Sequence, residues 1–329
     1  MITGPENALL DRLAAEGVAP WLTTDDRGNP SPEWAGSLSG EHSWFGFLLP
    51  DHTEPLPVAR EACDAMRSVY DSSGGRDGYV SVPVDQRLTH DPDALVEAAR
   101  TVHAEVCRPN LLVRIPATDA GIHAYRDCLA EGVGVHGTAI LSLERYRRVL
   151  DAHIAGAERA MESGIRLLEI TGITSFPVGL FDKEINRRLG ALPGHTAAAH
   201  RNRAGTALAR LAYRTRETHL EGWWWRVLRA AGARPPRLLW TGVRPWHVPE
   251  LIGWNTAQAL TRSTLESAAG RHPLRGDNML NTHPQAHRVL ENLRGLGVDP
   301  AAVIHELEND FSLLPQDPVS PDLPENPAG

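Results

Sequence analysis

Short runs of aliphatic and β-branched residues alternate with amphipathic stretches from about residue 78 onward. Tyr79 to Val84, Leu111 to Ala117 and Gly134 to Leu141 each have the length and composition of a buried strand. Between them, Ala94 to Cys107 and Gly121 to Ala130 have the apolar spacing of helices that bury one face. The alternation is typical of repeated βα units, so we expect successive strands to lie in one parallel sheet.

The second half of the chain continues this alternation. Ser142 is placed to cap a helix that ends before Gly164. Residues 167–175 and 237–243 predict further strands, and residues 195–230 predict mostly helix. The apolar positions of the helix after Ser142 recur at spacings of three and four and are expected in the core: Leu143, Tyr146, Leu150, Ile154, Ala157 and Met161.

The two ends of the chain differ from its middle. Near the C-terminus, Thr282 and Gln285 have capping-box spacing ahead of a last apolar helix. The proline-rich, acidic stretch 314–329 lacks the residues for a core, and we expect it to be disordered. Residues 20–55 mix Pro, Gly, Ser and aromatics without a clear period. The sequence therefore predicts one domain over residues 1–313 followed by a tail.

Composition favours a soluble globular protein that acts on a small molecule. The chain has 329 residues, 42% of them hydrophobic, and no apolar run of about 18 residues or export signal, so we expect a cytoplasmic protein that does not enter a membrane. Its net charge of -8 argues against a nucleic-acid partner. Three widely spaced cysteines give neither a disulfide framework nor a metal-ligand pattern, and we expect no metal and no cofactor.

Several segments follow one another along the chain: Ala62-Cys63-Asp64, Gly74-Gly75-Arg76-Asp77-Gly78-Tyr79-Val80-Ser81, Leu88-Thr89-His90-Asp91, Arg108-Pro109-Asn110 to Thr118, Arg210-Leu211-Ala212-Tyr213 and Arg275-Gly276-Asp277. In this order they resemble actinobacterial-type transaldolases. The resemblance covers roughly residues 60 to 310, whereas residues 1–60 diverge from the family. It implies an α/β fold, the (β/α)8 TIM barrel of the transaldolase type, with the site at the C-terminal ends of the strands.

Arg114 stands where the resemblance places the family's Schiff-base lysine. The chain has one lysine, Lys183, whose place beside two acidic residues at a helix start predicts a solvated side chain. A guanidinium stays protonated and offers no neutral amine to attack a carbonyl. We therefore expect the chain to lack Schiff-base chemistry.

Other positions that the resemblance assigns to the site are also replaced. Pro83 falls on the family's strand glutamate, His136 on an asparagine, Leu180 on a phosphate-binding arginine and Pro177 on an aromatic residue. Thr138 and Ser175 match the family, and Arg244 falls near its other phosphate-contacting cation. The family's early aspartate follows a Trp-Leu pair, but here Thr23-Thr24 follow it and Asp25 and Asp26 are displaced by two. Asn29-Pro30 is a candidate for the next family element.

Arg114, His136, Thr138 and Ser175 are the candidate catalytic residues, because inward positions on adjacent strands can share one cavity. Arg114 can hold a carboxylate, phosphate or enolate oxygen through two parallel hydrogen bonds. His136 adds a group that titrates near neutrality. Two alternatives stay open: His136 bonded only to a neighbour, and Arg114 in a buried ion pair with Glu169 or Asp85. Thr138 and Ser175 can equally be residues retained from the family that have no role in this protein's chemistry.

The candidate substrate-binding residues are Arg244, Thr118, Leu180, Pro83 and Trp44. Leu180 and Pro177 make the part of the site where the resemblance places the substrate phosphate less polar. An anionic and partly apolar substrate fits such a pocket. Trp44 and its aromatic neighbours can instead pack the barrel or a subunit contact, and a homodimer is left open. Trp223 to Trp225 are expected in a core or an interface.

Two hypotheses follow from these replacements. The first is a repurposed enzyme that uses His136 for acid–base chemistry and Arg114 as an anion or enolate clamp, in a lyase, isomerase or cyclase step of bacterial specialised metabolism. The second is a non-catalytic homologue that binds a metabolite or a partner protein. A genuine transaldolase that acts on sugar phosphates is the residual alternative.

Overall fold

A computed structural model of the chain describes residues 4–24, 44–50, 55–192, 196–270 and 273–309. Within these residues, eight parallel strands close into one barrel in chain order, with β1 paired to β8. This confirms the predicted (β/α)8 barrel. The strands are β1 Val18–Leu22, β2 Gly46–Leu48, β3 Tyr79–Pro83, β4 Leu111–Pro116, β5 Val135–Thr138, β6 Gly172–Pro177, β7 Arg237–Thr241 and β8 Thr256–Leu260.

Helices surround the barrel and bury their apolar faces against it. The helices of the described residues are α1 Pro5–Ala15, α2 Pro55–Ala65, α3 Arg67–Ser72, α4 Pro92–Val106, α5 Asp119–Ala130, α6 Leu143–Glu162, α7 Val178–Gly190, α8 Ala204–His219, α9 Trp223–Ala230, α10 Arg262–Ala268, α11 His283–Gly295 and α12 Pro300–Asn309. The main hydrophobic core lies between this helical layer and the outward faces of the strands.

A second, smaller cluster fills the barrel interior. Its members are Ala19, Trp21, Leu48, Tyr79, Leu112, Ile173, Leu239, Ala257 and Ala259. Trp21 lies over Gly46 on the neighbouring strand, where a Cβ atom would sit 2.2 Å from the indole Cε2. Only glycine leaves room for this ring, so Gly46 lets the tryptophan fill the barrel.

Helix α6 matches its prediction at both ends, whereas the strand predicted after it was partly wrong. The Ser142 hydroxyl accepts the N–H of Arg145 at 3.1 Å, and Gly164 follows the helix with φ +78°. The predicted strand 167–175 instead begins with a 3-10 turn over Leu167–Glu169, and β6 starts at Gly172. Leu168 is exposed there. Leu167 and Ile170 are buried, but they lie three positions apart as in a helical turn and do not alternate as in a strand.

The capping box predicted at Thr282 was also wrong. Its hydroxyl donates to the carbonyl of Met279 at 2.7 Å and caps no helical N–H. Thr282 has a helical backbone conformation, which turns the hydroxyl back toward the preceding turn instead of forward to the first N–H groups of α11.

Some sequence-based expectations concern residues whose structure is not described. Asp25, Asp26, Asn29-Pro30 and the stretch 314–329 lie outside the described residues. Lys183 is exposed on α7, as predicted. Of the tryptophan cluster, Trp225 is buried while Trp223 is exposed, so only part of it joins the core. Among the helices in the described ranges, none has the length and apolarity needed to cross a membrane.

Candidate functional site

Strand register brings three predicted site positions side by side. Pro83 on β3 is in register with Arg114 on β4, which is in register with His136 on β5. Side chains alternate along a strand, so Arg114 faces the same way as Leu112 of the interior cluster. Arg114 and His136 therefore both face into the barrel, close to its C-terminal end.

The Arg114 guanidinium is buried and anchored. Only 7% of the residue is exposed, and its Nη2 donates to the carbonyl of Leu49 at 2.5 Å, just beyond the end of β2. The side chain thus reaches past β3 to the C-terminal end of β2, two strands away from its own strand. The carboxylates offered as ion-pair partners point elsewhere, because Asp85 binds Arg87 and Glu169 binds Arg166 near the surface.

His136 is held by Ser81. Its Nδ1 lies 2.8 Å from the Ser81 hydroxyl, and only 1% of the histidine is exposed. The other ring nitrogen, Nε2, is buried and has no hydrogen-bond partner among the residues that the structure describes. The Nδ1 side of the imidazole is therefore held by Ser81, while Nε2 on the other side is available for a hydrogen bond to a ligand.

Ser81 is a site residue that sequence reasoning missed. It lies on β3 two positions before Pro83, so both residues face into the barrel. The available signal was this alternation of inward positions, which places a hydroxyl one strand away from Arg114 and two strands away from His136.

The surroundings of His136 keep its imidazole uncharged. Burial, followed by the positive charge of Arg114, lowers the pKa of His136 well below its ordinary value of 6.5. A neutral imidazole carries one N–H and one lone pair, and the Ser81 hydroxyl can match either at Nδ1. At neutral pH, Nε2 therefore presents a single neutral donor or acceptor.

Thr138 on β5 and Ser175 on β6 form a pair of hydroxyl groups. The Ser175 hydroxyl donates to the Thr138 hydroxyl at 3.1 Å across β5 and β6. Thr118 has a local structural task, since it accepts the N–H of Gly121 and donates to the carbonyl of Thr89. Its hydroxyl caps α5 at the end of β4.

The remaining predicted residues occupy different places. Pro83 is half-buried at the end of β3, and Leu180 is buried in the first turn of α7. Arg244 is half-buried in the segment that follows β7. Trp44 is buried in the main core just before β2, at the N-terminal side of that strand, so the structure does not bring it to Arg114. In the described residues, no group of three or more His, Cys, Asp or Glu side chains could hold a metal ion.

Comparison with known proteins assigns this barrel to a family. Residues 56–311 match the transaldolase/fructose-6-phosphate aldolase family. Transaldolase 1 of Streptomyces coelicolor is 41% identical, with 92% of this chain and 89% of that protein covered. The chain belongs to the transaldolase family. Among transaldolases, that of Mycolicibacterium paratuberculosis is 42% identical over 76% of this chain and 70% of its own length. Transaldolase 1 of Streptomyces avermitilis is 39% identical over 92% and 90%.

Within this transaldolase-family barrel, the strand position that faces His136 holds an arginine, and the one lysine is elsewhere. Lys183 lies on the exposed face of α7, outside the barrel. Its amine therefore points away from the interior face of the strands, where Arg114, Ser81 and His136 converge.

Proposed function

We propose that this member of the transaldolase family is an enzyme that forms no Schiff base. In this proposal Arg114 holds an anionic or enolate oxygen of a small molecule, and His136 moves the proton, in a lyase, isomerase or cyclase step. The observation that carries the proposal is the pairing of a buried arginine with a buried histidine whose Nε2 has no partner among the described residues.

Arg114 suits the role of an oxygen clamp. Its guanidinium has five N–H donors in a fixed plane, and the Leu49 carbonyl fixes the direction of that plane. Buried, charge-bearing donors that are already oriented stabilise developing negative charge without reorganisation during the reaction. An arginine at this position therefore supports chemistry that passes through an enolate or another oxyanion.

The charge on Arg114 also couples the clamp to His136. Without a ligand, that charge adds to the effect of burial and lowers the pKa of the histidine. An anionic substrate on the guanidinium offsets the charge and raises the pKa toward the range useful for proton transfer. Burial, the larger of the two causes, remains, so occupation of the site makes His136 a stronger base than in the empty site while its pKa stays below the ordinary value.

The substrate that fits this proposal is anionic at one end and apolar at another. Arg244 supplies a second cation in the segment after β7, while Pro83 and Pro177 supply apolar groups at the C-terminal ends of β3 and β6, and Leu180 follows in the first turn of α7. The relatives named transaldolase make ketose phosphates and aldose phosphates the first compounds to test.

The proposal can be tested by its prediction about imine formation. Wild-type protein and Arg114→Lys are each incubated with fructose 6-phosphate, reduced with borohydride and weighed intact by mass spectrometry. We expect no covalent adduct on wild type and an adduct on Arg114→Lys, because the lysine restores an amine to the barrel interior. An adduct on wild-type protein would instead make it a genuine transaldolase.

Turnover tests the catalytic roles. A panel of ketose phosphates, aldose phosphates and oxo acids is followed by NMR with wild type, Arg114→Ala and His136→Ala. We expect at least one compound to be converted by wild type, with losses of about 100-fold or more in each variant. Conversion that both variants retain in full would contradict the assignment.

The complete burial of His136 favours a second candidate, a homologue that binds a metabolite without turnover. That candidate predicts binding by wild type without product for any compound of the panel. Binding that is lost in Arg114→Ala, with no chemistry in wild type, would support it over the enzyme.

A further inference from the structure

A buried carboxylate and a buried histidine join the segments that follow β6 and β7. Asp182 on α7 and His247, beyond the end of β7, are 2% and 0% exposed, and the His247 Nε2 lies 2.7 Å from the Asp182 Oδ2. Neither residue belongs to the Arg114–His136 pair described above. A buried carboxylate loses its hydration, so this pair needs full hydrogen bonding to persist.

Both residues have that hydrogen bonding. The other carboxylate oxygen of Asp182, Oδ1, accepts the N–H of Gly205 in the first turn of α8 at 2.8 Å. The other ring nitrogen of His247, Nδ1, accepts the N–H of Arg244 at 3.1 Å. Since Nδ1 accepts, the ring proton is on Nε2 and is donated to Asp182. The carboxylate therefore favours the tautomer with the proton on Nε2, which leaves Nδ1 free to accept the backbone N–H of Arg244.

His247 holds the main chain of Arg244 from two sides. Besides accepting its N–H, His247 donates its own backbone N–H to the Arg244 carbonyl at 2.8 Å. Both backbone polar groups of Arg244 are thus bonded to one residue. The direction in which the Arg244 side chain leaves the backbone is set by His247, and through it by Asp182.

Close backbone packing fixes the rest of the segment. A Cβ atom on Gly179, at the start of α7, would lie 1.8 Å from the carbonyl oxygen of Gly242. The Val243 carbonyl accepts the Thr264 hydroxyl of α10 at 3.3 Å. The segment after β7 is therefore held by α7 on one side and by α10 on the other.

We infer that Asp182 and His247 form a positioning relay that holds Arg244 for an anionic group of the substrate at the C-terminal end of the barrel. The inference rests on the proposed anion-binding role of Arg244. Asp182 and His247 act through the main chain of Arg244 and do not themselves contact the ligand. Their contribution is a fixed geometry for a charge that its flexible side chain would otherwise place less accurately.

The test is the affinity for inorganic phosphate, measured by isothermal titration calorimetry on the whole chain. The variants are Arg244→Ala, Asp182→Asn and the double variant. Asparagine keeps the shape of the aspartate but has one oxygen, so either the Gly205 N–H or the His247 Nε2–H loses its acceptor. We expect each single variant to weaken phosphate binding by about tenfold, and the double variant to bind no more weakly than Arg244→Ala.

His153→Gln is the matched control. His153 is also a buried histidine with both ring nitrogens in hydrogen bonds, to the Tyr125 hydroxyl and the Arg234 carbonyl, but it lies on α6. It should lose stability without a change in phosphate affinity. His247→Gln replaces Asp182→Asn if the latter fails to fold, and the same loss and the same non-additivity with Arg244→Ala are expected.

The possible results separate this inference from the proposed function. Asp182→Asn with wild-type affinity, or losses that add in the double variant, would overturn the relay. An Arg244→Ala variant that binds phosphate like wild type would overturn it too, because Arg244 would then not bind the anion that the relay is proposed to position it for. Failure of the enzyme proposal would appear in turnover by Arg114 and His136 variants, while the phosphate titrations would keep their expected pattern.

Discussion

The two ends of the barrel use polar residues differently. At the N-terminal end, the Tyr79 hydroxyl bonds to the Gly75 carbonyl and the Thr171 hydroxyl, and Arg237 pairs with Asp77. At the C-terminal end, His136 uses one ring nitrogen and leaves the other without a partner among the described residues. The N-terminal contacts of Tyr79 and Arg237 stabilise the fold. Asn110 Oδ1, just before β4, also lacks a described partner, but the unused nitrogen of His136 lies within the influence of the Arg114 charge, as expected where a ligand is held.

The largest effect is expected at the N-terminal end. Arg237→Ala should lower the free energy of unfolding by about 3 kcal/mol, because it leaves the largely buried carboxylate of Asp77 without its partner. Urea unfolding measures this loss. Arg87→Ala is the control, since the Arg87–Asp85 pair is exposed to solvent and should contribute little to the free energy of unfolding. Equal losses would show that burial does not separate the two pairs.

Acid should destabilise the fold through its buried histidines. Burial lowers the pKa of His153 from 6.5 to about 4, so the folded protein keeps this ring neutral while the unfolded chain is protonated below pH 6.5. Its stabilising contribution is present above pH 6.5 and is lost as the pH falls toward 4.

We expect His153→Gln to remove on the order of 2 kcal/mol of the stability difference between pH 7 and pH 4.5. Urea unfolding of wild type and variant at both pH values measures it. An unchanged pH dependence in His153→Gln would mean that another group carries the acid sensitivity.

A smaller loss is expected from Tyr79→Phe. The variant keeps the ring in the barrel interior but removes the hydroxyl that bonds Gly75 and Thr171. The free energy of unfolding should fall by about 1–2 kcal/mol, because the two partners lose a buried hydrogen bond. Phosphate affinity should not change, since Tyr79 begins β3 at the end opposite the site. A changed phosphate affinity would show that the two ends of the barrel are energetically coupled.

The smallest change in stability is expected at the C-terminal end. His136→Met loses the bond to Ser81 but also removes a buried nitrogen without a described partner, so the two effects should cancel to within about 0.5 kcal/mol. Thermal unfolding measures the difference, and turnover should be lost in the same variant. A loss as large as that of Arg237→Ala would make His136 part of the stabilising framework.

The sequence predicted much of this architecture because local signals and the fold agreed. Alternating apolar runs and helical spacings gave the βα units, and Ser142 capped its helix as expected. Its errors were local. Leu168 continued an apolar run without being buried, and Thr282 had capping spacing but bonded backward to Met279. In both places the surrounding chain decided which hydrogen bonds formed.

The candidate site was less accessible to sequence reasoning. Arg114 and His136 were identified through the family resemblance, and the register of β3, β4 and β5 places them as neighbours. Ser81 and the Asp182–His247 pair were missed, because their partners are 55 and 65 positions away in the chain. Such contacts leave no periodic signal in the sequence.

The sequence by itself determined the chemistry available to this protein. It has one lysine, and an arginine in the strand where the transaldolase resemblance implies the reactive amine, so imine formation has no evident nucleophile there. The tertiary structure alone decided which groups meet. Barrel closure buries His136 beside Arg114 and Ser81 and keeps it uncharged, and it links Asp182 through His247 to Arg244. The physical reason is that charge state and hydrogen bonding depend on burial and neighbours, which chain order does not specify.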